Sequence, residues 1–143
     1  MIANALADKV ARAMRAAEGT GPAWGVEIEE AREGYARVSM TIRADMLNGH
    51  GSAHGGMIFA LADTAFAYVC NGANHASVAA QASIVFLDKV KKGETLIAEA
   101  TEVAREGRAG VTRVPVRSGD GRAIAEFTGY SRTLGGPVVE PGA

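Results

Sequence analysis

The stretch N-G-H-G-S-A-H-G-G-M-I-F-A-L-A-D-T-A-F-A-Y-V-C-N, Asn48 to Asn71, decides how the rest of this chain is read. From about His54 to Cys70 it is apolar at nearly every position, yet glycines, His54 and Asp63 interrupt it too often for a membrane span. A helix that is apolar almost all round is enclosed by its own fold instead of lying on a surface. Between Asp45 and Asp88 the one formally charged side chain is Asp63, where average charge density would place about nine. Its neighbours on the same helix face are Phe59, Ala60, Phe66 and Ala67, and none can neutralise or hydrogen-bond a carboxylate through its side chain. Burying an ionised carboxylate without partners costs many kcal/mol, so something outside this helix must contact it. A structural network would meet that need. So would a site kept for chemistry, which the preceding His-Gly-Gly favours.

Around this helix the pattern is strand-rich. Residues 2–18 have helical spacing, with Leu6, Val10, Ala13 and Met14 on one face and Asp8, Lys9, Arg12 and Arg15 on the other. Gly19 and a Gly21-Pro22 turn end that helix. Trp24–Glu30 and Tyr35–Ile42 alternate as strands, with Val26 and Ile28, then Val38, Met40 and Ile42, pointing inward across a Glu33-Gly34 turn. After Gly72 come Ser77–Leu87, Glu94–Arg105, Gly110–Arg117 and Ala123–Thr133, joined by hairpin-type turns at Lys92-Gly93, Glu106-Gly107 and Gly119-Asp120-Gly121. The tail from residue 135 to 143 is rich in Gly and Pro and reads as loose. The expected architecture is one α+β domain over residues 1–143, a meandering antiparallel sheet wrapped around a long central helix. Such a sheet leaves an edge strand and an apolar face to cover, so the chain is expected to pair symmetrically with itself.

Composition excludes several classes. The 143 residues carry a net charge of −1, so no field draws nucleic acid or an anionic membrane. Cys70 is the only cysteine; it reads as a buried core thiol in a reducing compartment. The N-terminal M-I-A-N-A-L-A-D-K-V lacks the basic-then-apolar layout of a signal peptide, and the default location is cytoplasmic.

Asn48, His54-Gly55-Gly56 and Asp63, followed by A-D-T-A-F-A-Y (Ala62 to Tyr68), resemble the hotdog-fold acyl-CoA thioesterases of the phenylacetate-pathway branch. The similarity extends through Ser83–Leu87, Lys91–Glu94 and Glu106–Arg108, covering roughly residues 24–135. The resemblance implies hydrolysis of acyl-CoA, with aryl-acetyl or similar medium-sized acyl groups favoured. Gly55 would polarise the thioester carbonyl through its amide, a role suited to the unpaired N–H groups and dipole of a helix start. Gly56 beside it permits close approach, although two glycines also suit plain tight packing. Asp63 would act as general base or as nucleophile, two roles the residues alone do not separate. Asn48 would face the thioester oxygen and His54 the leaving sulfur; capping of the helix is the plainer role for His54. Gly55 and Asp63 are about 12 Å apart along one helix, so one substrate carbon cannot touch both. Gly55 of one subunit and Asp63 of another must then share a site in a dimer, and a dimer of dimers is the expected assembly.

Some relatives place a water-holding Ser or Thr early in the strand after the helix, but Val78-Ala79-Ala80 offers no hydroxyl; either Thr64 or Ser83 substitutes, or a nucleophilic route is used. Phe86 belongs to the same matched strand and is expected to contact substrate. Lys89, Lys91, Lys92, Arg105 and Arg108 sit at two turns near where relatives hold the nucleotide; each alone also reads as an ordinary solvated residue. No cofactor is called for. His50 and His54 have i, i+4 spacing but no completing ligand pattern for zinc. Gly49 and Gly51 nearly form a dinucleotide fingerprint, but no alternating βαβ pattern follows, and no phosphate-loop motif is present. Two other functions of such a fold stay open: an enoyl-CoA hydratase or dehydratase, and a non-catalytic acyl-CoA-binding module.

Overall fold

A computed structural model describes residues 2–141. Helix α1 (Ile2–Ala17) is followed by a single turn, α2 (Thr20–Trp24), and then strands β1 (Glu27–Arg32) and β2 (Tyr35–Thr41). The central helix α3 (Gly55–Cys70) comes next, and strands β3 (Ser77–Phe86), β4 (Thr95–Glu106), β5 (Ala109–Ser118) and β6 (Ala123–Thr133) complete the chain. The six strands form one antiparallel sheet in the order β1-β2-β4-β5-β6-β3, curled around α3. This is the hotdog fold.

Two expectations about connections are corrected. Trp24 belongs to no strand: Pro22 suits the first turn of a helix, and Gly25 at φ +67° closes α2 in the left-handed conformation. The sheet is also not a plain meander. β3 pairs with β6 at the far edge, so Lys92-Gly93 turns the chain back across the sheet instead of forming a β3–β4 hairpin. Alternation reports that a stretch is a strand and which face is buried; it carries no information on its neighbour.

The core lies between α3 and the concave face of the sheet. Leu61, Ala62, Ala65 and Phe66 pack with Val38, Met40, Leu96, Ala98, Val114, Val116 and Phe127, all buried. Phe127 meets Phe59 edge-on at 5.2 Å between centroids and Phe66 at 5.8 Å. Phe66 lies flat over Gly129, where an added Cβ would fall 2.7 Å from the ring. Glu18, the residue after α1, is tied to α3 by the Tyr68 hydroxyl, which donates to its carboxylate at 2.7 Å. Arg15, assigned to the solvent face of α1, instead reaches back to the Val26 carbonyl at 2.9 Å.

The tail is not loose over its described part, 135–141. Ala76 N–H donates to the Gly136 carbonyl, and Asn74 Oδ1 accepts from the amides of Val138 and Val139, each at 2.9 Å. Asn74, itself at φ +65°, grips the tail from the β3 approach, a constraint that Gly and Pro content does not reveal. Gly142 and Ala143 lie outside the described residues.

The two sheet edges differ. β1 is charged (Glu27, Glu29, Glu30, Arg32) and bulged, which blunts further pairing. β3 carries no charge from Ser77 to Phe86 and leaves Val78 and Val85 exposed. It is an open, pairing-competent edge.

Candidate active site

The site begins where the loop from Asn48 enters α3. Asn48 Oδ1 accepts from the amides of His50 (2.9 Å) and Ser52 (3.1 Å), and the Asn48 amide donates to the Ser52 carbonyl at 2.7 Å. With its oxygen turned into the loop, the Nδ2 of Asn48 is left as a donor without an acceptor among the described residues. His54 is the N-cap of α3, its Nδ1 accepting from the Gly56 amide at 2.9 Å. A neutral imidazole that accepts at Nδ1 carries its proton on Nε2, which leaves Nε2–H as the second outward donor.

Capping satisfies Gly56. Gly55, the first helical residue, keeps an amide with no acceptor among the described residues, at the positive end of the helix dipole. The ring of Phe86, at the end of β3, packs on Gly55, so closely that an added Cβ would lie 3.0 Å from it. Gly55 therefore both exposes its N–H and makes room for an aromatic wall. An open groove of about 660 Å³ runs past this point, lined among others by Asn48, Gly55, Ile58, Phe86, Leu87 and Lys89.

Asp63 lies two turns further along α3. The helix is enclosed on most sides but not all: Gly56, Ala60, Asp63 and Ala67 form a partly open stripe that the protein's own sheet leaves uncovered. This corrects the expectation of complete enclosure. The Asp63 carboxyl has no hydrogen bond or ion pair among the described residues, and burial raises its pKa above the usual aspartate range. The contact demanded by its sequence setting does not come from the rest of this protomer.

The other expected residues divide. Thr64 is on the same helix, but its hydroxyl donates to the Ala60 carbonyl at 2.7 Å. Ser83 pairs with Thr128, next to the inward Phe127, and so points away from α3 on the outer face of the sheet. It cannot hold a water against Asp63 in its own protomer; a strand's side chains alternate, and Phe86 takes the inward parity. Lys89 lines the groove and Lys91 an adjoining depression. Arg105 and Arg108 instead surround a small cavity of about 190 Å³ with Cys70, His75 and Thr133, at the opposite end of a helix about 24 Å long. One protomer does not bring the two cation pairs together. Cys70 is a core thiol pushed up to about 12 by burial, unsuited to act as a nucleophile at neutral pH. Among the described residues no group of three His, Cys, Asp or Glu side chains is placed to hold a metal ion. Ile58 and Leu87 in the groove wall were not anticipated; the alternation that placed β3 could have flagged Leu87 only as a strand end.

A sheet curled about one helix, with a spare amide at its start and a lone carboxyl on its open face, is a hotdog domain with a candidate site at the helix. The chain belongs to the thioesterase superfamily, whose family model matches residues 50–125. It is 42% identical over 130 residues to the acyl-coenzyme A thioesterase PaaI of Escherichia coli, spanning 90% of this chain and 92% of that one. The solved structure of the E. coli PaaI protein from the phenylacetic acid degradation operon superimposes with a TM-score of 0.92 at 40% identity, over 94% of this chain and 97% of that chain. A hypothetical thioesterase protein of Streptococcus pneumoniae, solved with coenzyme A, matches with a TM-score of 0.76 at 28% identity, over 78% of this chain and 90% of that chain.

Proposed function

We propose that this protein hydrolyses acyl-CoA thioesters, favouring aryl-acetyl and similar medium-sized acyl groups, in sites shared between two copies of the chain. One observation carries the proposal: α3 presents an unsatisfied Gly55 amide at its start and an unpartnered Asp63 carboxyl about 12 Å further on. Two copies related by a two-fold axis, joined edge to edge through β3, would set their central helices antiparallel. The start of one helix then faces the middle of the other. The open β3 edge and the small residues Gly56, Ala60 and Ala67 around Asp63 support close approach. Val85 and Tyr130, exposed on the outer sheet face, provide surface for two such dimers to pair.

In this site the thioester oxygen accepts from Gly55 N–H and Asn48 Nδ2, which stabilise the oxyanion as it forms. His54 Nε2–H faces the sulfur. Asp63 of the partner subunit acts as general base; a carboxyl that burial makes more basic takes a proton from water more readily. The water oxygen bonds to the carbonyl carbon, the C–S bond breaks, and the proton passes from Asp63 to the departing thiolate. Phe86, Leu87 and Ile58 give the acyl group an apolar wall that suits an aromatic ring. Antiparallel pairing would also bring Arg105 and Arg108 of the partner subunit toward Lys89 and Lys91, where the coenzyme A phosphates need cations. A coenzyme A substrate and one buried free thiol fit a cytoplasmic setting.

The test is a panel of acyl-CoA substrates followed by thiol release, with one turnover of phenylacetyl-CoA run in ¹⁸O-water. Thiol release is expected, with label in the free acid and no label in Asp63. Hydration of crotonyl-CoA without thiol release would replace hydrolysis with hydratase chemistry, and binding without any turnover would leave a carrier module. Label in Asp63 would make it the nucleophile.

A further inference from the structure

The segment joining β3 to β4, residues 87–94, forms the rim of the groove and carries Lys89, Lys91 and Lys92 among Asp88 and Glu94. Lysines interleaved with carboxylates ordinarily pair with them. Here they do not. Arg122, entering from the β5–β6 turn, takes the carboxylates instead: Nε meets Asp88 Oδ2 at 2.8 Å, Nη2 meets Glu94 Oε1 at 3.1 Å, and Nη1 meets Asp120 Oδ2 at 3.1 Å. Nη2 also donates to the Lys89 carbonyl at 3.1 Å. The remaining carboxylate oxygens are held by backbone and hydroxyl donors. Asp88 Oδ1 accepts from the Lys89 amide, Glu94 Oε2 from the Lys91 amide at 2.6 Å, and Asp120 Oδ1 from the Ser118 hydroxyl and the Arg122 amide. The ammonium groups of Lys89, Lys91 and Lys92 are consequently left with no acceptor among the described residues. A depression of about 290 Å³ lined by Asp88, Lys89, Lys91, Glu94 and Arg122 adjoins the catalytic groove and shares Asp88 and Lys89 with it.

The Arg122, Asp88, Glu94 and Asp120 side chains are 36%, 44%, 27% and 63% exposed, so each ion pair taken singly contributes little to folding. The result of the arrangement is electrostatic: one guanidinium occupies three carboxylates and leaves the ammonium groups of Lys89, in the groove wall, and Lys91, in the adjoining depression, unclaimed. A planar fork can bridge several carboxylates at once; a lysine at the same place cannot.

We propose that Arg122 is a positioning residue for the nucleotide end of the substrate. By engaging Asp88, Glu94 and Asp120 it keeps Lys89, Lys91 and Lys92 free for phosphate oxygens, and by holding the Lys89 carbonyl it fixes the rim that carries them. This role rests on the assignment of coenzyme A thioesters as substrates, and the experiment separates the two.

Calorimetric binding of coenzyme A and of pantetheine, which lacks the nucleotide phosphates, is measured for wild type, Arg122→Ala and Arg122→Lys. Steady-state kinetics on matched CoA and pantetheine thioesters run alongside. For Arg122→Ala, the preference for coenzyme A over pantetheine is expected to fall about five- to thirty-fold in Kd ratio, with the KM ratio moving in parallel. Arg122→Lys is expected to recover little of it, because it keeps the charge and loses the bridging geometry. A purely structural role would weaken both ligands alike and leave the ratio where it was, and full recovery by lysine would reduce Arg122 to a point charge; either overturns the proposal. The binding readout needs no turnover. A wild type that hydrolyses neither thioester, yet loses its coenzyme A preference on Arg122→Ala, would refute the hydrolase assignment and uphold the role of Arg122.

Discussion

Replacing Asp63 by Asn should slow the enzyme and stabilise the fold. Among the described residues the carboxyl makes no hydrogen bond or ion pair that the substitution could remove, and its pKa is raised by burial alone. At neutral pH the wild type therefore keeps an ionised group in a half-buried setting with nothing in its own protomer to offset its lost hydration. The amide keeps the shape and removes the charge. Loss of a general base lowers kcat by about 10²–10⁴, equivalent to about 2.7–5.4 kcal/mol of barrier. The stability gain is smaller, since solvent still reaches the group and screens it: a rise in Tm on the order of a few degrees. The sign with pH follows from linkage. A carboxyl with a raised folded pKa binds its proton more tightly in the folded state than in the unfolded chain. The penalty is full above the folded pKa and vanishes below the ordinary aspartate value of 3.8. The gap in Tm between Asp63→Asn and wild type should accordingly be widest near pH 7 and close as the pH falls through that window. Thermal unfolding at pH 7 and near pH 3.5, with kcat measured at pH 7, checks both halves. A lower Tm for the variant at pH 7 would refute the reasoning, because it would mean that Asp63 has a structural partner in the assembled protein.

Two further outcomes test the packing. Gly129→Ala would push a methyl to within 2.7 Å of the Phe66 ring and disturb its contact with Phe127, so denaturant unfolding should show a loss of about 1–3 kcal/mol. Asn74→Ala removes the group that accepts from Val138 and Val139 and donates to the Val139 carbonyl. Amide hydrogen exchange at Val138 and Val139 should speed up by at least tenfold while the core amides of α3 exchange as before.

The identity of every long element was legible in local pattern. Alternation placed Val38, Met40 and Ile42 inward, and all three are buried; the apolar run from His54 to Cys70 is the central helix, with His54 as its cap. Strand order was not legible, because β3 reaches the far edge through a long-range pairing with β6 that its own residues do not encode. The same long-range register decides Ser83. Its hydroxyl looked available in one dimension, and the pleat turns it to the opposite face from Asp63. The lone charge on α3 was visible because composition alone exposes it. The Arg122 cluster was not: Asp88, Glu94 and Asp120 converge on one guanidinium across residues 88–122, a distance over which no periodicity speaks.

Sharing of the site between two copies joins the fold, the dimer and the chemistry, and a mixed dimer tests all three together. Asp63→Asn removes the base and leaves the Gly55 amide. Gly55→Pro removes that amide and leaves Asp63; Gly55 is the first residue of α3, the helical position where proline fits best, and the half-exposed Phe86 ring can give way to it. Each variant alone should be nearly inactive. When the two are mixed under conditions that exchange subunits, a shared arrangement leaves each heterodimer with one site carrying both defects and one carrying neither. Thiol release from phenylacetyl-CoA should then recover to about half the wild-type rate per heterodimer, by counting the intact site. No recovery, with subunit exchange demonstrated and both variants folded, would place Gly55 and Asp63 in separate functions and contradict the shared site.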